Sequence, residues 1–245
     1  MATVLIVEDE INIAAMIRTC IQSEGHHCQV VYGGKAGVEA FRQFQPDVVI
    51  LDLMLPEMNG LDVCTHIRQF SKLGQKDPYI MMLTGKTEEI DRIIGFSTGA
   101  DDYMAKPFNP VELAVRLRAL LRRELRSQSA ESDDCFETTH LEINQGMRSV
   151  YLKFSDGDRE AIKFTTLEFN LLVTMAQRPG RVWSRSQLLD TVWGDDFGGD
   201  DRIVDSYIKR LRQKLCGTDR FDKSQFIHTV PGIGYNFLDS SETSS

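Results

Sequence analysis

DVVILDLML (47–55) decides the fold. After Asp47 it is an apolar run of strand length interrupted by one acid, Asp52, and it stops at Pro56. Apolar residues in succession, without alternation, predict a strand buried on both faces, as in parallel sheets covered by helices. The same texture recurs on either side. TVLIV (3–7) and CQVVY (28–32) precede it, and YIMMLT (79–84) and DYMA (102–105) follow it. Between these runs lie helical spacings at 11–25, 35–44, 60–70, 87–97 and 109–123. Strand and helix alternate five times, which predicts an α/β unit with a five-stranded parallel sheet in the flavodoxin-like order 2-1-3-4-5.

In such a sheet, ligands bind beyond the carboxyl ends of the strands, at the point where the strand order reverses. Strand 1 ends at Glu8 and Asp9, and strand 3 ends at Asp52. Three carboxylates brought to one sheet edge repel one another unless a cation sits between them. Oxygen ligands favour Mg²⁺ or Mn²⁺. Lys106 follows strand 5 and Thr84 ends strand 4, so an ammonium and a hydroxyl reach the same crevice. A carboxylate nucleophile, a metal, a lysine and a hydroxyl together make up a phosphoryl-transfer site.

The bulk numbers agree with a cytoplasmic two-domain protein. The chain has 245 residues, 42% apolar and 26% charged, enough hydrophobe for two cores. No apolar run approaches the roughly 20 residues of a membrane span. MATVLIVEDE reaches acid at Glu8 with no basic n-region, so no signal peptide is expected. The five cysteines (Cys20, Cys28, Cys64, Cys135, Cys216) are scattered without metal spacing and read as reduced thiols.

After residue 123 the texture changes. ELRSQSAESDD (124–134) is polar and reads as a linker. Strands are expected near 139–144, 148–153 and 160–164, then helices at 166–177, 184–193 and 201–215, then a hairpin in FIHTVPGIGYNF (226–237). This is the pattern of an α+β winged helix-turn-helix. The formal net charge of -8 disfavours nucleic-acid binding unless positive charge is concentrated locally. Between Arg202 and Lys223 seven basic residues face three acids, Asp205, Asp219 and Asp222. On a helical wheel Val204, Tyr207, Ile208, Leu211 and Leu215 form the buried stripe, and Arg202, Ser206, Lys209, Arg210 and Gln213 face outward. Such a helix suits a major groove.

LIVEDE (5–10), VILDLMLPEMNG (49–60), MLTG (82–85), GADDY (99–103) and KPFNPVEL (106–113) resemble, in order, the signatures of a response-regulator receiver domain. TLEFNLL (166–172), SRSQLLDTVWG (184–194), RIVDSYIKRLRQKL (202–215) and HTVPGIGY (228–235) resemble the OmpR/PhoB-type winged-helix domain. The resemblance implies a receiver at 1–123, a linker at 124–135, a DNA-binding domain at 136–239 and a disordered tail at 240–245. It implies that Asp52 takes a phosphoryl group from a phosphohistidine of a partner sensor kinase. Asp9, Asp52 and the Met54 carbonyl would hold Mg²⁺, with Glu8 in support. Lys106 would pair with the phosphoryl oxygen, Thr84 and Tyr103 would act as switch residues, and the Lys106–Pro107 peptide would be cis. Such a chain sheds its phosphoryl group slowly and turns over no external substrate.

For the output domain the resemblance makes 201–215 the recognition helix. Arg202, Lys209, Arg212, Trp193, Thr229 and Tyr235 would contact phosphates, while Ile203, Asp205, Ser206 and Arg210 would sit at base edges. Arg92, Asp101, Asp102, Glu112, Arg116 and Arg118 would form reciprocal ion pairs in a homodimer across the 87–97, 102–105 and 109–123 face. Promoter DNA is the expected partner, RNA polymerase is a further one, and the source is bacterial. Two positions depart from the family pattern. Gly85 stands where Ala is usual after the switch Thr, and Pro231 stands where the wing often carries Arg.

Two other readings compete. A haloacid-dehalogenase-type aspartyl-phosphate phosphatase also uses a strand-end Asp with Mg²⁺, but it needs an acid two residues on, where this chain has Met54. A constitutive DNA-binding regulator with an unphosphorylated receiver would not need the complete acid, Thr and Lys set.

Overall fold

The computed structural model describes residues 1–72, 76–85, 99–128, 135–194, 201–216 and 226–239. The expected helix at 87–97, with Arg92, lies outside the described residues, as do Asp219, Arg220, Asp222, Lys223 and the 240–245 tail. The chain divides into two compact units, Met1–Leu121 and Arg122–Ser245. No helix among the described residues is long and apolar enough to cross a membrane.

In the first unit the strands are β1 (Thr3–Val7), β2 (His27–Val31), β3 (Val48–Asp52), β4 (Tyr79–Thr84) and β5 (Asp102–Ala105). They form one parallel sheet in the order β2-β1-β3-β4-β5, as the sequence predicted. Every residue of β3 and β4 is buried, which is why those runs show no alternation. The described helices are α1 (Ile11–Ser23), α2 (Gly34–Phe44), α3 (Gly60–Lys72) and α4 (Pro110–Gln128). Helix α4 runs five residues past the expected end at 123, into the stretch read as linker. ELRSQ contains no helix breaker, and Glu, Leu, Arg and Gln all favour helix. Charge alone does not end a helix.

Backbone bonds hold the ends of neighbouring strands together. Glu8 N donates to Val31 O at 3.1 Å, Leu53 N to Leu83 O at 2.9 Å and Lys106 N to Thr84 O at 2.7 Å. The β3–α3 connection folds back on β3, with Gly60 N bonded to Leu53 O at 2.9 Å. A Cβ at Gly60 would lie 2.2 Å from Asp52 O, so only glycine fits there.

The second unit opens with an antiparallel sheet of β6 (Cys135–Glu137), β7 (Leu141–Asn144), β8 (Ser149–Lys153) and β9 (Arg159–Ile162). Strand β6 was not predicted. It occupies the expected linker end because Phe136 pairs opposite Ile143. Helices α5 (Thr166–Ala176), α6 (Arg185–Trp193) and α7 (Arg202–Leu215) follow. Capping boxes start two of them, Thr165 with Glu168 and Ser184 with Gln187. The terminal hairpin of β11 (Ile227–Val230) and β12 (Gly234–Phe237) pairs with the two-residue β10 (Trp183–Ser184). Trp193, Tyr207, Phe226 and Phe237 fill the core between these elements.

Candidate functional site

The carboxyl ends of β1 and β3 bring Glu8, Asp9 and Asp52 together, with one ligand atom from each within 4.8 Å of the others. Glu8 is fully buried, Asp52 is 4% exposed and Asp9 faces solvent. Lys106 enters from the end of β5. Its Nζ donates to Glu8 Oε1 at 2.9 Å and lies 3.1 Å from Asp52 Oδ2. Thr84, fully buried, ends β4 on the same edge. Tyr103 on β5 is buried, and the Lys106–Pro107 peptide is cis. The Met54 side chain is exposed, while its backbone N–H is bonded to Asp52. Gly85 is exposed, with open space where a Cβ would stand.

The electrostatics follow from this crowding. Burial pushes the Asp52 carboxyl above the usual range, against the pull of Lys106 and the Met54 N–H, and Asp9 adds to the rise. Glu8 is raised by burial and by Asp52, with Lys106 opposing. Burial disfavours the Lys106 ammonium, but Glu8 and Asp52 outweigh it and raise its pKa. Three carboxylates therefore face one firmly protonated lysine. Glu8 Oε2 is buried with no hydrogen-bond partner, although the Lys106 ammonium lies 2.8 Å away. A hard oxygen-seeking cation fits this donor set.

The described members of the expected dimer set, Asp101, Asp102, Glu112, Arg116 and Arg118, are engaged within the chain. Arg68 of α3 pairs with Asp101 and also bonds Gly99 O at 2.9 Å, Pro78 O at 2.7 Å and Asp77 at 2.6 Å. Arg116 pairs with Asp102 at 3.0 Å and with Glu112 at 2.9 Å. Burial lifts Asp102 to about 6 against Arg116. Arg118 reaches Glu24 at 3.0 Å. Asp101, Asp102 and Arg116 are buried, so they do not form the open surface set that was expected. Their partners lie at home because a buried charge left unpaired is strongly disfavoured.

On α7 the predicted apolar stripe is buried throughout, and Arg202, Lys209 and Gln213 are exposed. Ser206 and Arg210 are both only 6% exposed, contrary to the outward placement expected for them. The Arg210 guanidinium lies 4.3 Å from the centre of the Tyr207 ring. It also lowers the pKa of Glu168, a buried acid on α5. That neighbouring carboxylate lets an arginine sit at the edge of the core. Ile203 is buried too, and Trp193 is fully buried edge-on to Tyr207 at 4.9 Å. Thr229 is exposed, and Tyr235 is buried with its hydroxyl bonded to Asp205. Sequence reasoning missed Arg185, whose Nε meets Asp205 at 2.7 Å. The Ser184–Gln187 capping box was the available signal, since it fixes Arg185 as the first residue of α6.

The fold defines a receiver domain joined to a transcriptional output unit. The family model "Response regulator receiver domain" matches residues 4–118, and "Transcriptional regulatory protein, C terminal" matches 158–237. The chain is 40% identical over 235 residues to "Uncharacterized transcriptional regulatory protein YclJ" of Bacillus subtilis (strain 168), covering 96% of this chain and 98% of that one. It is 37% identical over 238 residues to "Transcriptional regulatory protein SrrA" of Staphylococcus aureus (strain NCTC 8325 / PS 47), covering 96% and 94%. A solved structure of a RitR mutant superposes with a TM-score of 0.75 at 25% identity, covering 98% of this chain and all of that one. The chain belongs to the OmpR/PhoB-type response regulators, with a receiver domain and a DNA-binding domain that regulates transcription.

Proposed function

We propose that Asp52 accepts a phosphoryl group from a phosphohistidine of a partner sensor kinase, and that this modification switches DNA binding by the output domain. The observation that carries the reading is the placement of Asp52 at 3.1 Å from Lys106 and beside Glu8 and Asp9. An Asp52 oxygen attacks phosphorus, forming an O–P bond. The P–N bond to the imidazole breaks and its electron pair returns to the ring nitrogen. Lys106 neutralises an equatorial oxygen, and Thr84 donates its hydroxyl to another. Asp9, Asp52 and the Met54 carbonyl would hold Mg²⁺ (or Mn²⁺), with Glu8 supporting it. When bound, that ion offsets the negative charge that builds on the transferring group.

Movement of Thr84 and Tyr103 then repacks the face of β5 and α4, and two receivers pair symmetrically through it. The dimer places two copies of α7 on promoter half-sites about one helical turn apart. The receiver is assigned to 1–123 and the output domain to 136–239. The protein acts in the cytoplasm, sheds its phosphoryl group slowly and turns over no external substrate. The test is incubation with an acyl phosphate and Mg²⁺ followed by mass analysis of peptides. A phosphoryl adduct on the Asp52 peptide, absent in Asp52→Asn, supports the assignment. An equal adduct in Asp52→Asn contradicts it.

A further inference from the structure

Asp205 stands in the first turn of α7, and its side chain is 41% exposed. A bare carboxylate on a helix that meets DNA faces phosphates of like charge. Here the carboxylate is already engaged. Asp205 Oδ1 accepts from Arg185 Nε at 2.7 Å and from the Tyr235 hydroxyl at 2.6 Å. Arg185 opens α6 and Tyr235 lies on β12, so one oxygen ties three elements together.

A second tie lies two helical turns along the same face of α7. Arg212 Nε donates to Ile227 O at 3.0 Å, and its Nη2 donates to Thr229 Oγ1 at 2.9 Å. Thr229 and Tyr235 are direct cross-strand partners of the terminal hairpin. The Tyr235 ring lies between two guanidinium groups, 5.3 Å from that of Arg185 and 5.7 Å from that of Arg212. Helix α7 therefore grips both strands of the wing, one through Arg212 and the other through Asp205.

We propose that Asp205 is a positioning residue: it docks the wing on the recognition helix and aims Arg185 at the DNA backbone, and it does not read a base edge. A base-reading carboxylate must offer its oxygens to a cytosine amino group. The Asp205 oxygen that takes both bonds is held on the protein side by two donors of the chain's own. The guanidinium of Arg185, bonded at Nε to Asp205 and at Nη2 to the Tyr235 hydroxyl at 3.5 Å, keeps further N–H donors for a phosphate. The hairpin tip, Pro231 to Ile233, carries no charge, so the wing's contribution depends on how its base is held.

The inference rests on α7 being the helix that meets DNA, and the experiment separates the two claims. The full chain, treated with a phosphodonor, first selects duplexes from a random pool. Asp205→Ala, Asp205→Asn and Tyr235→Phe are then measured on the selected sequence across a salt series, with their thermal unfolding. Asp205→Ala is expected to weaken binding about tenfold, the scale of a charge-assisted hydrogen bond. It lowers the slope of log K against log salt by about one as Arg185 loses its aim, and it selects the same base sequence as the wild type. Asp205→Asn, whose amide oxygen accepts both bonds, recovers to within about threefold of the wild type. The losses in Asp205→Ala and Tyr235→Phe are less than additive in the double variant. Full affinity in Asp205→Ala, or relaxed preference at one base pair, overturns the proposal. If Asp205→Ala fails to fold, Asp205→Asn carries the test, and a relaxed base preference there overturns it equally. A wild type that enriches no duplex contradicts the DNA-binding reading itself, and that result is visible in the control arm alone.

Discussion

Lys106 lies 2.8 Å from Glu8 and 3.1 Å from Asp52 in a crevice of three carboxylates, so one ammonium balances part of its charge. Removing it separates two roles. In Lys106→Ala, phosphoryl transfer to Asp52 is expected to fall about 100-fold, as when one positioned charge-stabilising donor is deleted. The affinity for Mg²⁺ holds or rises, because a competing cation is gone. Rapid-quench labelling and calorimetric Mg²⁺ titration check the pair of outcomes, and a parallel loss of both would place Lys106 in maintaining the crevice. Glu168 makes a different single-residue argument in the output domain. Burial pushes its carboxyl up, but Lys214, the Thr165 N–H and Arg210 together outweigh burial and hold it below its ordinary value of 4.5. A depressed folded-state pKa contributes stability that is complete above the unfolded value and lost as pH falls through the folded one. Glu168→Gln is therefore expected to destabilise the domain at pH 7, and its deficit shrinks as pH drops below about 4.5. Denaturant unfolding across that range measures it, and a deficit independent of pH would contradict the ion-pair account.

At the scale of elements, the β3–α3 connection sets the height of Asp52. Gly60 passes so close that a Cβ would stand 2.2 Å from Asp52 O. Gly60→Ala must shift that connection, at about 1–3 kcal/mol of stability, and slow the labelling of Asp52 with it. Unchanged unfolding and unchanged labelling would show that the loop adapts freely. The wing supplies the complementary prediction. Pro231 and Ile233 are exposed on an uncharged tip. Pro231→Arg is expected to tighten DNA binding and to steepen its salt dependence by about one phosphate contact. Affinity and salt slope equal to the wild type would show that this tip does not reach the duplex. The elements also show what the sequence could reveal. The runs of β1, β3, β4 and β5 and the strand-end acids were legible because burial leaves an unbroken apolar signature, and because strand order then dictates which ends meet; the edge strand β2, with His27 and Gln29 exposed, lacks that signature. The end of α4 was not legible, since ELRSQ is polar yet helix-forming. Arg210 was misplaced because a helical wheel knows the period of α7 and not that Glu168 lies beside it, and Ser206 because the wheel does not show how far neighbouring elements cover the flank of the stripe. For Arg185 the capping box gave its place at the start of α6 but not its role: its partner Asp205 is twenty residues away, and no pattern along the chain links the two.

The whole molecule is proposed to work by coupling two equilibria, phosphorylation of the receiver and assembly on DNA. Asp101, Asp102 and Arg116 are buried and paired within the chain. A symmetric dimer that used them would have to trade intrachain partners for intermolecular ones. The local concentration of positive charge on α7, in a chain of net charge -8, is expected to make DNA binding salt-sensitive. The most direct measurement is the affinity of the full chain for its selected duplex, with and without acyl phosphate and Mg²⁺, in the wild type and in Asp52→Asn. The account predicts that the wild type binds at least about tenfold tighter with the phosphodonor, and that Asp52→Asn stays at the untreated level. Equal tightening in both proteins, or tight binding by the wild type that ignores the phosphodonor, would contradict it.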